Sequence, residues 1–146
     1  MLVRTSGWVF CAALAYCSGG NVICDEPAPP ASIASLNAEL PVRIPEGARI
    51  VGVHRENGMD DLIELKLEMS AADLPAFLAS SPLGQHPLES WGRHGNFGPD
   101  HTFWDPGSVP TMRSAETTYA GARGFRIGID ERKPGVVVVY LVDHGT

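Results

Sequence analysis

Leu62-Ile63-Glu64-Leu65-Lys66-Leu67-Glu68-Met69 has the clearest periodicity in the chain. From Ile63 onward every second side chain is apolar and the intervening ones are charged, which is typical of a strand with one buried and one solvated face. Asn57-Gly58 precedes this stretch, and both residues tolerate positive φ. We therefore predict a hairpin in which a two-residue turn joins strands over residues 49–55 and 60–69.

The stretch after Met69 changes to helical spacing. Leu74, Phe77 and Leu78 fall on one side of a short helix. Each of them contributes roughly 1.5–3 kcal/mol if it is buried against the sheet. The pattern predicts a helix packed on the apolar face of the hairpin.

A second hairpin is predicted near the end of the chain. Phe125, Ile127 and Ile129 alternate with polar or small residues, and Val136–Val142 follows with no polar face at all. A strand without a polar face is typical of the interior of a sheet that is covered on both sides. We expect this valine strand to be internal and to lie beside the first strand.

These elements predict one small α+β domain over residues 40–146. Its expected architecture is a four-stranded, mainly antiparallel sheet in the order ββαββ, with one helix on one face and a long irregular loop. Apolar residues make up 44% of the chain and charged residues 19%, as in ordinary globular domains. The formal net charge is −6 and no basic residues cluster, so nucleic acid is not an expected partner.

Residues 1–17 are typical of a secretion signal. Arg4 gives a positive start, and the ten residues from Gly7 to Tyr16 carry no charge. A bilayer span needs about 20 apolar residues, so this core is too short to cross a membrane. We expect the chain to be exported, with residues 18–39 as a Gly/Pro/Ala-rich tether that includes a short helix after Pro30.

Leu14-Ala15-Tyr16-Cys17 resembles the lipobox of bacterial lipoproteins, with a branched apolar residue three before Cys17 and a small residue two before it. Tyr16 departs from the pattern, which has Gly, Ala or Ser at that position. The signal, the tether and the compact domain together look like small uncharacterised bacterial cell-envelope lipoproteins. The resemblance implies lipidation of Cys17 and an anchor in cell-membrane or outer-membrane lipid, and it implies no activity.

Ordinary signal-peptidase cleavage is the alternative at this segment. A cut after Ala15, or near Ser18 to Gly20, would release a periplasmic or extracellular protein. If the cut follows Ala15, Cys17 and Cys24 are both retained and are able to form a disulfide in an oxidising compartment.

Residues 81–113 are predicted to be a long irregular loop, because five Gly and five Pro interrupt any apolar pattern. Trp91, Phe97, Phe103 and Trp104 are large apolar anchors that a disordered segment would lack. We expect this loop, or the N-terminal arm, to shield the valine strand. The candidate binding residues are Trp91, Phe97 and Trp104.

Histidines supply the sharpest chemical hypothesis. His86, His94 and His101 lie in the loop and His144 lies near the C terminus, so the four are candidate ligands for a metal such as zinc. Their spacing matches no compact zinc motif, and neither H-E-x-x-H nor C-x-x-C occurs. Surface histidines that bond the loop backbone are the competing interpretation, and we expect no cofactor.

Two function classes are compatible with these patterns. The first is an exported, membrane-anchored envelope protein with a binding or structural role, an envelope protein partner and no catalytic residues. The second is a small metal-dependent or hydrolytic envelope enzyme that uses the loop 81–113, although no G-x-S-x-G motif occurs. Convergence of the histidines would favour the enzyme, whereas separate imidazoles and buried Trp91 and Trp104 would favour the binding protein.

Overall fold

The computed structural model describes residues 30–58, 60–92, 97, 98 and 100–145, with the backbone alone at residues 91 and 92. They form a small α+β domain around one antiparallel sheet in which the strands lie in the order β1-β2-β6-β5-β4-β3. The elements along the chain are α1 (Ile33–Glu39), β1 (Arg49–Glu56), β2 (Leu62–Ser70), α2 (Leu74–Ser80), β3 (Glu89–Gly92), a 3-10 turn (Pro106–Ser108), β4 (Thr111–Tyr119), β5 (Arg123–Asp130) and β6 (Val136–His144).

The α+β class and the antiparallel sheet are confirmed, but the predicted four strands and ββαββ order are wrong. Within the described ranges the sheet has six strands, and two helices pack on it. The missed strands are β3 and β4, both inside or beside the predicted irregular loop. In β4 the buried positions are Met112 and Ser114, and the remaining residues are mostly polar. Because β4 has little apolar alternation, hydrophobic periodicity does not reveal it.

The predicted two-residue turn between the first strands is also wrong. Glu56 pairs with Leu62, so the connection spans residues 57–61. The strand starts two residues later than expected because Asp60 and Asp61 are unfavourable in a strand.

β6 is internal as predicted, but its neighbours are β2 and β5, and β1 lies at an edge of the sheet. The expected contact between the valine strand and the first strand is therefore wrong. Pairing with β2 runs from Leu62 opposite His144 to Ser70 opposite Val136. Successive side chains of β6 point to opposite faces, so this one strand contributes to two apolar cores.

One face of the sheet is covered by α1, α2 and the segment that follows α1. Leu36 of α1 and Phe77 of α2 are fully buried against strand residues such as Leu65, Ile127 and Val139. The predicted apolar stripe of α2 is confirmed. Neither helix is long and apolar enough to cross a bilayer, and the same holds for any other helix in the described ranges.

The opposite face is covered by the segment between β3 and β4. Its described residues, 97, 98 and 100–110, are called the covering loop below. Phe97 and Trp104 are buried in a second core with Val138, Tyr140 and Val142. The Trp104 ring meets the Tyr140 ring edge-on, with centroids 5.4 Å apart. The expectation that the loop shields the valine strand is thus confirmed.

Candidate functional site

Polar side chains of β2 lie beneath the covering loop. Glu64 is only 8% exposed, and His101 Nε2 lies 2.7 Å from its Oε2 atom. Two residues further along β2, Lys66 forms an ion pair with Asp105 of the loop. The prediction that Glu64 and Lys66 face solvent is therefore wrong, because the loop supplies each of them with a partner of complementary chemistry.

Lys66, Asp105 and Tyr140 form a three-membered polar cluster. Lys66 Nζ and the Tyr140 hydroxyl both donate to Asp105 Oδ1, the hydroxyl at 2.8 Å, and Lys66 Nζ lies 5.1 Å from the centroid of the Tyr140 ring. Burial raises the pKa of Asp105, but the hydrogen bonds from Lys66 and Tyr140 outweigh it, so the pKa is lowered. Burial and then the hydrogen bond to Asp105 raise the pKa of Tyr140, which keeps the phenol a donor.

His54 lies beside His101, although no sequence pattern singles it out. It stands opposite Glu64 in the β1–β2 register, and its ring centroid is 5.4 Å from that of His101. His54 Nε2 also lies 3.1 Å from Glu56 Oε1. A correct register for the first hairpin would have identified this neighbour of Glu64. Each imidazole is paired with a carboxylate, an arrangement that orients the ring.

The other described candidate metal ligands do not converge on His101. His86 Nδ1 contacts the carbonyl of Leu83. His144 packs against Gly124 so closely that a Cβ there would overlap the imidazole. No group of three His, Cys, Asp or Glu side chains within the described part of the chain is arranged to hold a metal ion.

The candidate binding aromatics Phe97 and Trp104 are buried rather than exposed. Trp104 Nε1 donates to the Phe97 carbonyl at 2.7 Å, so the indole joins the middle of the covering loop to its start. The backbone of Trp91 lies in β3 opposite Met112. The Trp91 side chain, His94, and residues 1–29 with Cys17, the signal and most of the tether lie outside the described residues.

An open groove of about 460 Å³ lies where α1, the β1–β2 connection and the β4–β5 hairpin meet. Its volume is within the range of ligand pockets, roughly 300–1,000 Å³. Three separate segments of the chain form its lining. The polar side chains that line it are Glu39, Arg55, Glu56, Asn57, Asp61, Tyr119 and Arg123.

Carboxylates hold both arginines of the groove. Arg55 Nη2 lies 2.8 Å from Glu39 Oε2, and this hydrogen bond lowers the pKa of Glu39. Arg123 Nη2 lies 3.3 Å from the carboxylate of Asp143, which is 1% exposed and also accepts from the Tyr119 hydroxyl at 2.9 Å. The groove therefore presents positive and negative groups in fixed positions, which suits a polar segment of mixed charge.

Comparison of the chain with protein-family models, with curated proteins and with solved structures finds no match. The function is therefore inferred from the sequence patterns and from the geometry of the two polar regions described above.

Proposed function

We propose that this protein is an exported envelope protein, anchored in membrane lipid through Cys17, whose domain binds an envelope protein partner and catalyses no reaction. One observation carries the binding role. The charged groups beneath the covering loop pair with one another and hold the loop on the sheet, whereas the groove beside Arg55 and Arg123 is open. Open, polar and lined by several segments, the groove is the surface that suits a partner.

Substitution at Asp61 tests the groove as the partner surface. The Asp61 side chain is exposed and lines the groove, whereas the neighbouring Asp60 is equally exposed and does not line it. Proteins that co-purify with the tagged chain from solubilised envelopes are identified by mass spectrometry. Asp61→Arg should remove a specific partner that Asp60→Arg retains. The reason is that the new arginine would repel the basic group of the partner that faces Asp61 in this proposal. Equal recovery with both variants would count against the groove.

The mature N terminus tests the anchor. Mass spectrometry should find Cys17 as the first residue, carrying the mass of a diacylglycerol and an acyl chain. Cys17→Ala should move the protein from the membrane to the soluble fraction, whereas Cys24→Ala, the matched control, should leave it membrane-bound. An unmodified Cys17, or a mature chain that starts after it, would remove the anchor from the proposal.

The alternative is a small metal-dependent or hydrolytic enzyme, and the Glu64–His101 pair favours it because a carboxylate-oriented imidazole is a common general base. Metal analysis of the dialysed protein separates the two proposals. Stoichiometric zinc or copper that disappears in the double variant His94→Ala/His101→Ala would replace the binding proposal with the enzyme.

A further inference from the structure

β1 presents an unpaired edge of the sheet. Its inner side pairs with β2, and its outer backbone groups have no backbone hydrogen-bond partner within the described ranges. β1 is eight residues long, whereas β3 at the other edge has four. Such an edge is a template for a further strand, because its N–H and C=O groups can bond another backbone.

The register of β1 against β2 shows how its side chains are spaced. Seven residues of β1 have a partner in β2, and Val51 is the extra residue of a bulge between Ile50 and Gly52. Val53 is the fourth of the seven partnered positions and thus the centre. Arg49 and Glu56, with opposite charges, are the first and the last.

We propose that a second copy of this chain binds this edge, with β1 antiparallel to β1 about a two-fold axis at Val53. Gly52 of one copy then lies opposite His54 of the other, and Arg49 lies opposite Glu56 at both ends. The two members of each pair point to the same face of the sheet, as an antiparallel ladder requires. Arg49 already pairs with Glu68, and Glu56 with His54, within each chain, so the isologous interface adds two equivalent charge contacts to these pairs. The paired sheets become continuous.

The uncharged stretch from Ile50 to Val53 and the opposite charges of Arg49 and Glu56 favour a second copy over an unrelated strand. Ile50, Val51, Gly52 and Val53 carry no charge, so they accept backbone pairing without repulsion. A bulge normally hinders edge pairing. In the symmetric pairing each bulge lies opposite Arg55 of the other copy, away from the central rungs. This self-association goes beyond the proposed partner binding and does not depend on the anchor.

Charge exchange tests the register. The full chain carrying Cys17→Ser, which removes the lipid, is examined in reducing buffer by sedimentation velocity over a range of concentrations. The chain with the wild-type β1 sequence should show a reversible monomer–dimer equilibrium. Arg49→Glu or Glu56→Arg alone should each weaken it at least about tenfold, because like charges then meet at both ends. The double variant Arg49→Glu/Glu56→Arg should return the dissociation constant to within about threefold of wild type.

Arg113→Glu and Glu131→Arg are the matched controls, because they alter an exposed ion pair that involves β4, four strands away from β1 in the sheet. They should leave the dimer unchanged. A chain that stays monomeric at every concentration overturns the proposal, and so does a dimer that either single variant of β1 leaves intact or that the double variant fails to restore.

Cysteine crosslinking tests the axis directly. In a chain whose Cys11, Cys17 and Cys24 are replaced by Ser, Val53→Cys should form a disulfide between copies on mild oxidation, because facing residues lie about 4.5–5.5 Å apart at Cα. Ile50→Cys, which faces Arg55, should not crosslink. Equal crosslinking at both positions, or none at Val53→Cys, would overturn this register.

Discussion

His101 Nε2 lies 2.7 Å from a carboxylate oxygen of Glu64, although 37 positions separate the two residues. The contact joins the covering loop to a strand whose polar side chains, by periodicity alone, belong in solvent. Two residues further along the strand, the ion pair between Lys66 and Asp105 also joins the covering loop to the strand. The face of the sheet that periodicity predicts to be exposed to solvent is therefore a second buried layer.

His101→Ala should destabilise the domain by about 1–3 kcal/mol, because it leaves the largely buried Glu64 carboxylate without its imidazole partner. Urea unfolding at neutral pH measures the change in the free energy of unfolding. His86→Ala is the matched control: that residue is exposed, so we expect a change within about 0.5 kcal/mol. Equal effects of the two variants would contradict a role for the Glu64 contact.

Trp104→Ala should cost about 3–5 kcal/mol, since the indole is 0% exposed and packs on the central strand. Trp104→Phe should cost less, because it keeps part of the apolar volume but loses the hydrogen bond to the Phe97 carbonyl. Denaturant unfolding followed by circular dichroism gives both values. A loss below about 1 kcal/mol for Trp104→Ala would show that the covering loop adds little to stability.

Gly52→Ala should destabilise the domain by about 1–3 kcal/mol, because the added Cβ would overlap the Phe103 ring. Removing that ring should relieve the overlap, so Gly52→Ala/Phe103→Ala should lose less stability than the sum of the two single variants. Gly47→Ala is the control, since a Cβ there meets nothing within 4 Å. It should be neutral or stabilising by up to about 1 kcal/mol.

The Asp105 carboxylate should make stability depend on acid pH. Burial alone would raise its pKa, but the hydrogen bonds from Lys66 and Tyr140 have the larger, opposite effect. The folded-state pKa therefore lies below the ordinary aspartate value of about 3.9. A lowered folded pKa means that this stabilisation is present above pH of about 4 and is lost as pH falls through the folded pKa. Asp105→Asn should therefore destabilise the domain at pH 7 and destabilise it less at about pH 3.

Paired urea titrations at the two pH values give this comparison. Asp73→Asn serves as the control, because the Asp73 side chain makes no capping hydrogen bond at the start of α2. Its effect should be small at both values. An Asp105→Asn effect that does not shrink in acid would exclude the ion pair as the cause.

Local patterns predict the elements whose buried side chains are large and regularly spaced. The hairpin strand around Leu65, the helix around Phe77 and the two C-terminal strands all appear in the structure. β4 escapes prediction because its buried positions include Ser114, which carries no hydrophobic signal. Only part of the candidate site can be predicted from the sequence. His101 is identified as a candidate ligand, whereas His54 is recognised as part of the site only from its position opposite Glu64 in the β1–β2 register.

The sequence by itself determined the α+β class and the internal position of the valine strand, because periodicity and the absence of a polar face are properties of contiguous residues. Tertiary structure alone decided which strands are neighbours, and it decided that Glu64 and Lys66 are covered by a loop and not exposed to water. Those outcomes depend on contacts between distant residues, such as Lys66 with Asp105, whose free energies no local pattern encodes.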